Sequence, residues 1–161
     1  RIASEITTHI RRLTVQERTL EREITARVTV LAPALLALVG VGALTAAKIV
    51  AEVADIRRFR SKDAFARHNG TAPLPVWSSN HPRHRLARTG NRQLNAAIHR
   101  ITITQARCHP DARAYLDRRA AMGNTPREAR RALKRHLSDI VFRALLKDAT
   151  TAPATPLVEA A

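Results

Sequence analysis

Aromatic residues are scarce in this chain: three Phe, one Trp and one Tyr make up 3% of it. A protein that binds single strands by stacking successive bases needs a platform of such rings, so that class is disfavoured. Cysteine is scarcer still. Cys108 stands alone, which excludes an internal disulfide framework and every zinc module built on several thiolates. Acidic side chains are outnumbered, 13 Asp and Glu against 28 Lys and Arg, for a formal net charge of +15. Such an excess repels itself unless a polyanion neutralises it. Nucleic acid is therefore the first expected partner and an anionic membrane surface the second.

Long hydrophobic runs are also missing. Residues 28–47 carry no charge, but Pro33, Gly40 and Gly42 interrupt them, so no membrane span is expected. The charged, helix-like stretch before them does not fit a signal peptide. What is present is apolar content of 45% in 161 residues. A chain of this length buries roughly two-thirds of its unfolded surface, so the expectation is one domain, or a small domain with a helical extension. The sequence starts at Arg1 without Met and is read as a piece of a longer protein.

The fold class expected is mainly α. Apolar Ile6, Ile10, Leu13, Leu20, Ile24 and Leu31 recur at spacings of three and four or their multiples. They predict one amphipathic helix over 2–31, either coiled-coil-like or packed on its own domain. Glu17 and Arg27 interrupt its seam, and Pro33 ends it. A short apolar helix, a turn holding Gly40 and Gly42, and a second helix follow, in the manner of a helix-hairpin-helix unit. In such a unit the glycine turn lets backbone N–H groups approach a DNA phosphate; the alternative is a helix cap in a buried hairpin.

Ser61 is the expected N-cap of a short helix that Gly70 ends, with Phe59, Phe65 and Ala66 inward. Three prolines and two glycines make 70–90 an irregular central loop. A helix over 91–107 carries a stripe of Leu94, Ala97, Ile98 and Ile101, and a short one runs from Asp111 to about Arg119. The last helix starts at the capping box Thr125-Pro126-Arg127-Glu128. It runs to about Lys147, with Arg127, Arg130, Arg131, Lys134 and Arg135 on its polar face. No strand has clear support. The divisions expected are a helix over 1–32, a compact helical domain over 33–147 and a disordered tail over 148–161.

Candidate chemistry is sparse. His81 with His84, and Cys108 with His109, lack the further ligands of a closed metal site, so no metal site is expected. Glu52, Asp55 and Asp63 do not form the converging carboxylates of two-metal nuclease chemistry. Cys108 beside His109 has no orienting third group for nucleophilic catalysis. Ser78 and Ser79 remain. They lie in a loop flanked by Arg83, Arg85 and Arg88, whose guanidinium groups could stabilise a transferring phosphoryl group. Turn chemistry is the competing reading of that serine pair. From 57 to 107 there are 11 Lys or Arg and one acid, Asp63.

Five segments in order carry a resemblance: Leu-Val-Gly-Val-Gly-Ala-Leu-Thr-Ala-Ala (38–47), Ala-Asp-Ile-Arg-Arg-Phe-Arg-Ser (54–61), Ala-Phe-Ala-Arg-His-Asn-Gly-Thr-Ala-Pro (64–73), Ser-Ser-Asn (78–80) and Arg-Thr-Gly-Asn-Arg-Gln-Leu-Asn (88–95). Over roughly 30–147 the chain resembles the C-terminal domain of insertion-sequence transposases related to the Piv DNA invertase. The helix before it resembles the coiled-coil segment preceding that domain.

The resemblance implies a catalytic serine at Ser78 or Ser79, with Ser78 favoured, although Asn80 stands where Gly is usual in the family. It implies strand exchange through a serine–DNA intermediate, homo-oligomers, and in several members a structured guide RNA. It also implies an N-terminal RuvC-like domain whose acidic residues hold a divalent metal such as Mg; that domain lies outside these residues, so no strand exchange is expected of this chain alone. The expected setting is the bacterial cytoplasm, in association with the nucleoid and with no membrane. The expected nucleic-acid contacts are Gly40, Gly42 and Thr45 in the turn, Arg57, Arg58 and Arg60 after it, Arg83, Arg85 and Arg88 in the loop, and Asn91 and Arg92 beyond it. The alternatives are a non-catalytic helix-hairpin-helix module, a truncated transposase remnant, or an oligomerisation fragment whose main act is the coiled coil.

Overall fold

The computed structural model describes residues 2–76, 83–85 and 89–151, with the backbone alone for 75, 76 and 83–85. The architecture is mainly α. Helix α1 spans Ile2–Leu31, α2 Pro33–Leu36 and α3 Ala43–Val53. A 3-10 turn at Ile56–Arg58 leads to α4, Lys62–His68. Strands β1 (Leu74–Val76) and β2 (Arg83–Arg85) follow, then α5 (Arg92–Cys108), α6 (Pro110–Ala121) and α7 (Pro126–Thr151).

The strand pair departs from the sequence expectation. β1 and β2 form an antiparallel ribbon with Leu74 opposite Arg85 and Val76 opposite Arg83. Pro75 sits within β1 and has no N–H to give, which a two-stranded ribbon tolerates because each strand has a free edge.

Helix α1 behaves as two parts. Val28 is buried and Ile24 packs on the core, where α1 meets α3. Toward its start the seam is bare: Ile6 is 55% exposed, Ile10 57%, Leu13 48% and Leu20 58%. The chain's own domain does not cover this stripe. The 28–47 segment folds as the end of α1, the short α2, a turn and the start of α3, and no described helix is long and apolar enough to cross a membrane.

The core lies where α3, α5 and α7 converge. Leu35, Ile49, Val53, Phe65, Leu94, Ile98, Ile101, Leu133, Leu137 and Val141 are buried there. The stripe expected on α5 is buried in full: Leu94, Ala97, Ile98 and Ile101. The capping box forms, with Glu128 Oε2 accepting from the Thr125 N–H and hydroxyl, both at 2.8 Å. The backbone N–H of Thr125 leads in holding the Glu128 carboxyl below its ordinary pKa.

The last helix runs four residues past the expected Lys147, to Thr151, and Asp148 is not part of a tail. Its buried carboxylate accepts from the N–H groups of Ala34 (2.7 Å) and Leu35 (3.0 Å). Those donors head a helix with no side-chain cap of its own, so Asp148 supplies from the far end of the chain what the local sequence lacks.

Candidate nucleic-acid interface

The expected contact residues fall at two places, set by α3 and α5 lying side by side in opposite directions. The start of α3 meets the second half of α5, where Gln105 Nε2 donates to the Val39 carbonyl at 2.7 Å. The end of α3 meets the start of α5, where Asn91 Nδ2 donates to Glu52 Oε2 at 2.7 Å. Gly42 and Glu52 are ten residue steps apart, about 15 Å of helix. The hairpin turn and the root of the central loop therefore lie at opposite ends of α3. Along DNA that distance is about four to five base-pair steps.

At the first place the two glycines differ in role. Gly40 has φ +83°, and a Cβ there would meet Thr104 Cβ and Cγ2 at 3.2 Å. It is glycine because the turn is left-handed and presses on α5. Gly42 is the N-cap of α3, with φ −87° and nothing within 4 Å of a Cβ position. No side chain caps α3 there, and among the described residues its first N–H groups, at Ala43, Leu44 and Thr45, make no hydrogen bond. Backbone donors at a helix start favour an anion such as a phosphate.

At the second place the irregular loop is closed at its root. The Asn91 N–H donates to the His68 carbonyl at 2.6 Å. A Cβ on Gly90 would lie 2.4 Å from Gly70 N and 2.6 Å from Gly70 Cα, so the two backbones touch. Gly70 itself has φ +70°. Polar side chains fix both ends. Asn91 Oδ1 caps α5 by accepting from the Leu94 N–H at 2.9 Å. Asn69 is fully buried; its Nδ2 donates to Ser138 Oγ at 2.8 Å and its Oδ1 accepts from the Thr71 N–H and hydroxyl. Asn95 Nδ2 donates to the Asn69 carbonyl at 2.6 Å. Every residue between Gly70 and Gly90 leaves from and returns to this one point.

The arginines near the root divide by partner. Arg57 is paired with Asp55 at 3.0 Å, and that hydrogen bond leads in holding the Asp55 carboxyl below its ordinary pKa. Arg58 lies over the Phe59 ring and within 3.4 Å of His68 Nε2. Arg60, Arg67 and Arg92 make no ion pair among the described residues. Asp63, the lone acid of this stretch, is taken by Arg135 at 2.6 Å, and Arg135 also binds Asp139.

Arg83 and Arg85 sit on β2, at alternate positions of one strand. Ser78, Ser79 and Arg88 lie outside the described residues, the serines falling between β1 and β2 in the sequence. Thus the structure brings Arg58 and Asn91 together around Glu52 and His68, places Arg92 at the same helix start, and puts Gly40, Gly42 and Thr45 at the other end of α3. No three His, Cys, Asp or Glu side chains among the described residues are placed to hold a metal ion.

No local signal marks Asn69, Asn95 or Ser138 as part of this network, or Glu52 as the partner of Asn91. An Asn before a Gly reads as an ordinary helix end, and nothing local signals that Asn69 is buried against α7. Lys134 was expected on a solvated face. It is half-buried instead, and its Nζ donates to Asn95 Oδ1 at 2.5 Å.

Comparison with known proteins adds two findings. Residues 32–117 match the model of the transposase IS116/IS110/IS902 family. A 43.6 kDa protein of insertion element IS110 from Streptomyces coelicolor is 35% identical over 139 residues, which is 84% of this chain and 34% of the relative. The chain spans about a third of that relative's length.

Proposed function

This chain belongs to the IS116/IS110/IS902 transposase family, and we propose that it is the part of such an enzyme that grips DNA and presents a serine nucleophile to it. One observation carries the reading: the Ser78–Ser79 loop is rooted in a backbone-on-backbone contact of Gly70 with Gly90. A nucleophile in an irregular loop reacts efficiently only when the loop ends are fixed. Here the fixing groups are buried Asn69, the α5 cap Asn91 and its partner Glu52.

In the proposed step the Oγ of Ser78, or of Ser79, attacks phosphorus in a DNA phosphodiester. A serine–phosphorus ester forms, the bond from phosphorus to one deoxyribose oxygen breaks, and the serine proton is lost while the departing oxygen gains one. Arg83, Arg85 and Arg88 offset the charge on the transferring group. The hairpin turn at Gly42 holds a phosphate some distance along the same duplex, without reading its sequence. The Piv-like use of serine, a guide RNA and a metal-holding acidic domain belong to this reading as family expectations. The bare seam of Ile6, Ile10, Leu13 and Leu20 fits pairing of α1 with a second copy.

A non-catalytic binding module is the second reading. The uncapped N–H groups at the start of α3 favour it, since a phosphate held there would need neither serine. The test is covalent attachment of DNA to the whole transposase. Loss of attachment in the Ser78→Ala, Ser79→Ala double variant, with DNA binding retained, supports the nucleophile. Unchanged attachment sinks it and leaves the binding module.

A further inference from the structure

Helices α5 and α7 cross so that Asn95 meets Lys134, and one turn further along, His99 comes under the charges of Lys134 and Arg130. This group of cations has no acid. Among the described residues neither Lys134 nor Arg130 is in an ion pair, and every acidic side chain on α7 is engaged elsewhere. Glu128 closes the capping box, Asp139 binds Arg135, and Asp148 caps α2. Arg130 donates only to the Pro126 carbonyl of its own helix, and Arg131 beside it is exposed and unpaired among the described residues.

Lys134 is the unusual member. A half-buried ammonium normally sits against a carboxylate, because burial disfavours its charge. Among the described residues its only hydrogen-bond partner is the neutral Asn95 amide. Burial lowers the Lys134 pKa, and burial followed by the charges of Lys134 and Arg130 lowers that of His99. Such a cluster is complete only with an anion. Its position narrows the choice. Asn95, which holds Lys134, also donates to the Asn69 carbonyl at the root of the central loop. The cluster is thus tied through Asn95 to the loop root.

We propose that Lys134, Arg130 and His99, braced by Asn95, form a binding site for a phosphodiester of a nucleic-acid backbone. The inference rests on the nucleic-acid reading above, and it adds a contact on α7 that lies outside the matched family region, 32–117. The Lys134 ammonium and the Arg130 guanidinium supply the charge-assisted hydrogen bonds, and Asn95 keeps the ammonium aimed.

The test is binding of the whole chain to short labelled duplexes, one of DNA and one of RNA, over a series of salt concentrations. Lys134→Met keeps most of the side-chain volume, and Arg130→Gln stays polar. Each is expected to weaken binding roughly tenfold and to lower the slope of log K against log salt by about one. Arg118→Gln, on α6, serves as the control, and thermal melting of each variant separates misfolding from lost contact. A larger effect on one duplex than on the other identifies the source of the phosphodiester. Unchanged affinity and slope in both folded variants overturn the site while leaving the nucleic-acid reading intact. Failure of the wild-type chain to bind either duplex overturns both. If Lys134→Met fails to fold, Arg130→Gln alone decides.

Discussion

Gly90 lies against Gly70 so closely that a methyl group on it would sit 2.4 Å from the Gly70 amide nitrogen. Backbone atoms cannot swing aside as a side-chain end can, so the contact admits only glycine. Gly90→Ala is expected to separate the loop ends and break the Asn91-to-His68 hydrogen bond beside them. The cost is about 2–3 kcal/mol, read as a drop in melting temperature. DNA attachment by the whole enzyme is expected to fall further than stability accounts for.

The two turn glycines make opposite predictions. Gly40→Ala forces a side chain into φ +83° and toward Thr104, at about 1–2 kcal/mol. Gly42→Ala meets nothing within 4 Å and is expected to leave the melting temperature nearly unchanged while reducing DNA affinity, because the methyl occupies the approach to the α3 N–H groups. Melting and binding measured on both variants check the contrast.

Asp148→Ala leaves two N–H groups of α2 without an acceptor in a buried setting. The expected loss is about 2–3 kcal/mol. Asp148→Asn keeps one acceptor oxygen and is expected to fall between the alanine variant and the wild type. Denaturant titration ranks the three.

Acid lowers stability through two histidines. Burial first and Arg58 second hold the pKa of His68 below its ordinary 6.5, against an opposing pull from Glu52. Burial, then Lys134 and Arg130, do the same to His99. The unfolded chain takes up these protons before the folded one. Stability from this source is full above 6.5 and is lost as pH falls from there through the lowered folded values. The melting temperature is expected to decline from neutral pH to about 5, and less steeply in His99→Gln.

Local pattern made most of the helices legible. The ends of α1, the Ser61 cap, the Thr125 box and the buried stripe of α5 follow from spacing and capping chemistry within a few residues. Contacts between distant elements were not legible. Asn69 meets Ser138 across 69 positions, and Asp148 meets Leu35 across 113; no local rule marks either as buried. The ribbon of β1 and β2 escaped because Pro75 and the charged Arg83-His84-Arg85 run hide its alternation. The sequence did not show that the expected contact residues divide between the two ends of α3. That separation comes from α3 and α5 lying antiparallel, a tertiary fact. The family match covers 32–117, whereas the packed unit extends through α7 to Thr151. The last helix therefore completes the core of a region that it follows in sequence.

The function proposed for this chain is a grip on a nucleic-acid backbone through phosphate contacts. The most direct test is the affinity of the wild-type chain for duplex DNA at increasing salt. The account predicts that log K falls linearly and steeply with log salt, as counterion release requires. Absence of binding at low salt, or an affinity indifferent to salt, would contradict it.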